Sequence, residues 1–306
     1  MLILLNSIFL LLKMIKDIII AVGLTMSATP YWGKVDSTVD WCEPNYVVSP
    51  YIAEFFNTVS HVPTPFYISA GIFYTWKLAS KEWRFVCAFA SVILVAIGSI
   101  AFHATLRYVG QLLDELPLML TNYSLLYCVL CCKASPTMSQ SEKWKERIWI
   151  GLFCMLGCIQ CVIYIVLKWY AVFFISYGCL LIGLLLYSVS TIRDAMGKTH
   201  PSFLSMKLFK YACITYGCGF ALWCIENTFC KKVQSFQLHA WWHVLSGAGS
   251  YLYILSMIAL RSHYLKRQTN LQFLHLCGIH VSVQPVVVCT QEKEDCTAVA
   301  DNRKSK

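Results

Sequence analysis

Seven runs of mostly apolar residues, each about 20 residues long, limit how this chain can fold. They cover about 55–76, 85–105, 112–132, 148–167, 171–191, 208–225 and 240–260. A helix of this length crosses a bilayer, and inside lipid the backbone polar groups must bond within the segment, which excludes open sheets. No stretch shows the alternation of a membrane barrel strand. The sequence therefore predicts an all-α membrane protein built as a seven-transmembrane helix bundle.

The charged residues support this prediction and indicate an orientation. Charged residues make up 13% of the chain, against about 25% in soluble domains. Most lysines and arginines lie in loops 77–84, 133–147, 193–210 and 261–267. By the positive-inside rule these loops and the C-terminus are cytoplasmic, and the N-terminal side of the bundle is lumenal or exterior. The net charge of +9 is explained by these loops, and no groove-binding pattern for nucleic acid is present.

The chain divides into four segments by composition. Residues 1–30 form an N-terminal extension, for which three interpretations remain: a signal peptide, an anchor helix, or a stretch upstream of a later translation start at Met14 or Met26. Residues 31–56 are a lumenal acidic segment, and residues 57–265 hold the seven helices. Residues 266–306 are a cytoplasmic tail, which we expect to be mostly disordered because it is polar and has no periodic pattern beyond Val281–Cys289.

Polar residues from several runs are predicted to meet at one end of the bundle. The second run ends on the lumenal side, and the first, third and seventh begin there. This layer therefore collects Glu54, His103, Asp114, Glu115, His239 and His243. Ionisable groups at membrane depth are costly and mark functional sites. An alternative for the two acids of the third run is that they stabilise a helix N-terminus.

The histidines of this layer have the residue types of a zinc site. His239 and His243 are four residues apart, so both imidazoles lie on one face of a helix. The pair alone also fits a structural or interfacial role. With His103 it gives three histidines and an open fourth position, the pattern of catalytic zinc, which lowers the pKa of bound water to about 7. No glutamate lies between the pair, so a general base must come from elsewhere, and Asp114 is in the same layer.

Three other polar features could have either a functional or a structural role. Ser99 lies one turn before His103 on the same face, where helix-packing serines are also common. His61, inside the first run, is interpreted as a hydrogen-bonded core histidine. The acidic segment offers hard oxygen donors of the type that calcium prefers, at Asp40, Glu43, Asn45 and Glu54. Their spacing is not that of an EF-hand, so the residues alone favour a solvated acidic loop.

Six short motifs occur in order between about residues 31 and 265, and together they resemble the alkaline ceramidases. They are Tyr31-Trp32-Gly33, Asp40-Trp41-Cys42-Glu43, Tyr51-Ile52-Ala53-Glu54-Phe55, Gly98-Ser99-Ile100-Ala101-Phe102-His103, Gln111-Leu112-Leu113-Asp114-Glu115-Leu116 and His239-Ala240-Trp241-Trp242-His243. The extension and the tail lie outside the resemblance.

The resemblance implies a seven-helix, zinc-dependent intramembrane amidase that hydrolyses ceramide to a sphingoid base and a fatty acid. It implies that His103, His239 and His243 bind zinc, with Asp114 and Ser99 as supporting catalytic residues. It also implies a calcium site formed by Asp40, Trp41 (through its backbone carbonyl), Glu43, Asn45 and Glu54. The expected partners are ceramide and membrane lipids, and the expected location is the endoplasmic reticulum or Golgi membrane.

The same polar layer would also fit two other functions, those of a receptor and of a transporter. A seven-helix receptor with a structural zinc and no hydrolase activity is the main alternative. A metal or proton transporter is disfavoured because the cytoplasmic halves of the runs carry few ionisable groups. Cys42 and Cys230 are both predicted on the lumenal side, so we expect a disulfide between them in an oxidising compartment.

Overall fold

The computed structural model describes residues 30–135, 139–197, 203–275 and 282–290. The helices within these residues are α1 (Phe55–His61), α2 (Pro63–Leu78), α3 (Trp83–Thr105), α4 (Tyr108–Leu130), α5 (Gln140–Leu167), α6 (Tyr170–Met196), α7 (Leu204–Val233) and α8 (Leu238–Tyr264), with a short 3₁₀ turn at Gln234–Phe236. The three interpretations of the N-terminal extension concern residues 1–29, which lie outside the described residues.

Five helices are long and apolar enough to cross a membrane: α3, α5, α6, α7 and α8. A multi-pass helical membrane protein is therefore confirmed. The first predicted run is divided between α1 and α2, and Pro63 begins the second of these helices, where its missing N–H costs no hydrogen bond. The third run is α4, which carries several polar residues. A complete set of seven crossings stays a prediction.

Helices α3 and α4 pack closely at the level of the predicted site. A Cβ atom added to Gly98 of α3 would lie 1.8 Å from the carbonyl oxygen of Leu113 and 2.9 Å from the amide nitrogen of Asp114. Only a residue without a side chain allows the two backbones to approach this closely. This contact holds Ser99, the next residue along α3, beside Asp114 on α4.

Substitution of Gly98 by alanine should therefore destabilise the protein. The added methyl group must push α3 away from α4, and overpacking of this kind costs about 1–3 kcal/mol. Thermal unfolding in detergent would measure the loss. Gly183→Ala on α6 is the matched control, because a Cβ atom there meets nothing within 4 Å. Equal melting temperatures for the two variants would contradict the close packing of α3 on α4.

The acidic segment is attached to one end of the bundle. The backbone amides of Asp36 and Ser37 donate hydrogen bonds to the carbonyl oxygen of Leu106, at 3.3 and 3.2 Å. The predicted disulfide between Cys42 and Cys230 is confirmed, and it joins this segment to the last turns of α7. These attachments place the segment directly over the end of α3 and the start of α8.

Part of the C-terminal tail differs from the prediction of disorder: its described residues, 266–275 and 282–290, contain two strands. Strands β1 (Gln268–His275) and β2 (Ser282–Thr290) form an antiparallel hairpin. Val286 and Val287 of β2 are buried. The side-chain amide of Gln284 donates to the carbonyl oxygen of Tyr67 at 2.7 Å and to the Tyr251 hydroxyl at 2.9 Å. The valines that form an isolated apolar stretch in the tail thus pack against α2 and α8, which the sequence pattern did not reveal.

Candidate active site

Three histidines from two helices meet at the end of the bundle beneath the acidic segment. His103 lies in the last turn of α3, and His239 and His243 lie in the first two turns of α8. One ring nitrogen from each can be chosen so that all three lie within 4.8 Å of one another. The three side chains are buried, with 0%, 4% and 4% exposure respectively. The sequence prediction that these residues converge is therefore confirmed.

Hydrogen bonds fix which nitrogen of two rings is available to a metal. The Nδ1 atom of His103 bonds the carboxylate of Glu54. The Nδ1 atom of His243 lies 2.9 Å from the Ser60 hydroxyl oxygen and 3.2 Å from the Asn57 carbonyl oxygen. Because the Ser60 hydroxyl already donates to Asn57, Nδ1 of His243 must be the donor. The proton of His243 is therefore on Nδ1, and in both rings Nδ1 is already engaged, which leaves Nε2 as the nitrogen available to a metal.

The third histidine is held by packing. The ring of His239 packs against Trp41, with centroids 4.3 Å apart, and its backbone amide donates to the Glu226 carboxylate at 2.7 Å. Nδ1 of His239 and Nε2 of His103 are buried and have no hydrogen-bond partner among the described residues. Unpartnered buried nitrogens are rare without a ligand. This donor set fits a metal ion that prefers imidazole nitrogen, such as zinc.

Asp114 and Ser99 face the same space as the histidines. Both line a cavity of about 430 Å³ that also reaches His239 and His243. The Ser99 hydroxyl lies beside the Asp114 carboxyl and has no hydrogen-bond partner among the described residues. The neighbouring acid differs, because the Glu115 carboxylate bonds the hydroxyl of Tyr164 and the amide of Gln111. Asp114 is therefore the carboxylate free to act in the cavity.

The cavity continues from this polar end as a long apolar channel. Along α8 it is lined from His239 to Tyr253, a distance of about 21 Å at 1.5 Å per residue. Most of its wall is aliphatic or aromatic, as at Val92, Leu125 and Phe173. A space with one polar end and a long apolar arm fits a lipid chain that carries its reactive group at the histidine end.

The predicted calcium ligands lie together in the acidic segment, but their carboxylates do not converge as the histidines do. Glu43 accepts hydrogen bonds from the amides of Phe56 and Asn57 at 2.7 and 2.9 Å, at the N-terminus of α1. Glu54 accepts from the Trp41 amide at 3.2 Å. Asn45 donates to Asp40 at 3.1 Å, and its buried side-chain oxygen has no partner among the described residues. Among the residues that the structure describes, the histidine triad is the only cluster in which three such ligand atoms converge.

Two of these acids are buried. Burial raises the pKa of Glu43 to about 8 and that of Glu54 to about 8, with repulsion from neighbouring carboxylates adding to the shift. Buried carboxylates are normally paired or bind a metal ion. The buried acids and the unpartnered oxygen of Asn45 thus fit a hard divalent cation, although the hydrogen bonds of Glu43 compete with that role.

The interpretation of His61 as a hydrogen-bonded core histidine is confirmed for its burial, at 5% exposure, and wrong for the hydrogen bond. Its ring makes no hydrogen bond with the described residues, and its Nδ1 is buried without a partner. The ring lies against His243, with centroids 4.1 Å apart, and lines the cavity. No role was predicted for Ser60 and Asn57, which orient His243. The available signal was the polar stretch 57–61 inside an apolar run.

Fold and site together define a helical membrane protein in which a buried three-histidine site lies at the head of an apolar cavity. The family model "Ceramidase" matches residues 33–287. The chain belongs to the ceramidase family, and the resemblance read from its motifs is confirmed.

Several curated relatives share most of this chain. Alkaline ceramidase 3 of Mus musculus is 33% identical over 261 residues, which is 80% of this chain and 91% of that protein. Alkaline ceramidase YPC1 of Saccharomyces cerevisiae is 33% identical over 275 residues, covering 79% and 82% of the two chains. The alkaline ceramidase of Arabidopsis thaliana is 30% identical over 230 residues, covering 72% and 82%.

Proposed function

We propose that this protein hydrolyses the amide bond of ceramide inside the membrane, releasing a sphingoid base and a free fatty acid. The observation that carries the proposal is the buried histidine triad with Asp114 at the polar end of a long apolar cavity. Relatives that share most of the chain are named alkaline ceramidases. Ceramide has one amide and two long chains, which matches a cavity with one polar end.

The proposed arrangement in the membrane has seven crossings within residues 57–265. The N-terminal side, with the acidic segment 31–56, is lumenal, and the tail 266–306 is cytoplasmic. The distribution of lysine and arginine supports this orientation. The disulfide between Cys42 and Cys230 supports it as well, because disulfides persist on the oxidising side of a membrane. We place the protein in the endoplasmic reticulum or Golgi membrane.

His103, His239 and His243 would hold a catalytic zinc ion. When bound, zinc would polarise the amide carbonyl group and lower the pKa of a water molecule in the open position. Glu54, Ser60 and Asn57 keep two of the ligand rings in the required tautomer and orientation. Such partners of metal ligands typically affect metal affinity or activity by about 10–100-fold.

The protein's own groups then move the protons. The Asp114 carboxylate accepts a proton from the attacking water as the water oxygen bonds to the amide carbon. The Ser99 hydroxyl donates a hydrogen bond to the former carbonyl oxygen as negative charge develops there. Asp114 then returns its proton to the amide nitrogen as the C–N bond breaks. The hydroxyl group of water thus ends on the fatty acid, and the proton ends on the amine.

Product analysis would test this proposed function. Purified protein is incubated at alkaline pH with ceramide labelled in its acyl chain, and the lipids are separated. We expect equal amounts of free fatty acid and sphingoid base. Intact ceramide from a folded protein with bound zinc would instead favour the receptor alternative, in which the metal is structural.

We also propose that calcium binds to the acidic segment and modulates the activity. Asp40, the Trp41 carbonyl group, Glu43, Asn45 and Glu54 would hold the ion, whose charge offsets the buried carboxylates. Because Glu54 also bonds His103, this site is directly connected to the zinc ligands.

Calcium should therefore stabilise the folded protein. A ligand at 100 times its dissociation constant adds about 2.7 kcal/mol, so removal of calcium with a chelator should lower the melting temperature and the hydrolysis rate. The Asp40→Asn variant should lose this response. The Asp36→Asn control changes an acid that is paired with Arg107 at 2.8 Å and should keep it. A similar calcium response in the Asp40 variant would exclude this ligand set.

A further inference from the structure

We propose that His61 determines substrate specificity by hydrogen-bonding a hydroxyl group of the sphingoid base beside the amide. This inference rests on the proposed function. His61 is the last residue of α1 and is 5% exposed. It is a fourth histidine at the site, outside the group of three whose ligand atoms converge.

His61 has an unused hydrogen-bonding capacity. A neutral imidazole has one donor and one acceptor nitrogen. The ring makes no hydrogen bond with the described residues, although it contributes to the cavity wall. Buried polar side chains normally have a partner. The position therefore favours a ligand that brings a polar group into the cavity.

The ring of His61 lies close to the reacting centre. It lines the cavity and packs against the ring of His243, with the centroids 4.1 Å apart and the ring planes tilted by 38°. Substrate groups that contact the His61 ring must therefore lie close to the amide bond that is hydrolysed. Thr64, one turn further along at the start of α2, is buried and lines the same wall. Most other residues of the lining are apolar, so His61 is one of the few polar side chains near the histidine triad that can contact a substrate.

The hydroxyl groups of ceramide match this position. The carbon that bears the amide nitrogen lies between two carbons that carry hydroxyl groups, C1 and C3. A hydroxyl group both donates and accepts, which suits a neutral imidazole. A site built to bond a substrate hydroxyl discriminates against the analogue that lacks it, because its own polar group is then left unpartnered.

Deoxy substrates provide the test. The value of kcat/KM is measured for ceramide, 1-deoxyceramide and 3-deoxyceramide with the same acyl chain, using wild type, His61→Phe and His61→Asn. We expect wild type to prefer ceramide over one of the analogues by about tenfold, the value of one hydrogen bond. In His61→Phe this preference should fall to about onefold, because only the hydroxylated substrate loses a contact. His61→Asn, which keeps a donor and an acceptor, should retain part of the preference.

Two controls distinguish this role from a purely structural one. His263→Phe, at an exposed position at the other end of α8, should keep the wild-type preference, and zinc content should equal that of wild type in every variant. An equal loss on all three substrates would show a structural role and overturn the inference, as would loss of zinc from both His61 variants. If the phenylalanine variant does not fold, His61→Leu replaces it. A preference for ceramide that stays at the wild-type value in both His61→Asn and His61→Leu then overturns the inference. Absence of all hydrolysis by wild type would reject the proposed function itself.

Discussion

His243→Ala is expected to reduce ceramide hydrolysis by about 10³-fold or more and to remove the bound zinc. Carbonyl polarisation by a metal supplies several kcal/mol of transition-state stabilisation, and each 1.36 kcal/mol corresponds to a factor of ten in rate. The substitution removes one of three ligands and also leaves Ser60 without the ring that it now contacts at 2.9 Å. Initial rates and metal analysis on the same preparation measure both effects.

His263→Ala is the matched control for this experiment. It lies on the same helix, at an exposed position far from the site, and it should keep both activity and zinc. If His243→Ala lost activity but kept a full equivalent of zinc, the ligand assignment would be wrong. If it kept both, the triad would have no part in the reaction.

Asp114→Asn is expected to lower the turnover number by about 10²–10⁴-fold, the usual contribution of a general acid–base group, while zinc stays bound. The amide cannot accept the proton of the attacking water, but it preserves the size of the side chain beside Ser99. Zinc content and the melting temperature show whether the site and the fold survive. This combination of lost turnover and retained metal distinguishes a proton-transfer role from metal binding.

Leu113→Ala is the control on the same helix. The leucine side chain points outward and is 52% exposed, so its loss should leave the rate unchanged. Near-normal turnover in Asp114→Asn would instead assign the proton transfer to another group. A rate loss accompanied by loss of zinc would mean that the carboxylate supports the metal site.

Much of the site could be predicted because it depends on helix direction and helix periodicity. The four-residue spacing of His239 and His243 places both on one face. The alternating direction of the runs brings His103 and Asp114 to the same end. The disulfide between Cys42 and Cys230 follows from the same placement of loops. To predict these features, only the number and the order of the helices must be known.

Other features depend on side-chain directions that periodicity does not specify. Asp114 and Glu115 are adjacent in sequence, but the contact of Gly98 with the α4 backbone holds Asp114 in the cavity, while Tyr164 and Gln111 bind Glu115. The contact of His61 with His243 depends on the break between the helices before Pro63. The C-terminal hairpin depends on long-range contacts of a tail whose one apolar stretch, Val281–Cys289, does not indicate a partner. Glu43 lies at the N-terminus of α1 because the acidic segment folds back over the bundle.

Titration of zinc into metal-free protein, with ceramide hydrolysis followed in parallel, tests most directly whether the three histidines hold the catalytic metal. We expect no activity without metal and a linear recovery that stops at one zinc per chain, with no recovery in His103→Ala. The disulfide and the melting temperature are monitored to show that the fold persists while the metal is removed. Full activity of the metal-free protein, or recovery that is unaffected by the loss of His103, would contradict this role of the histidines.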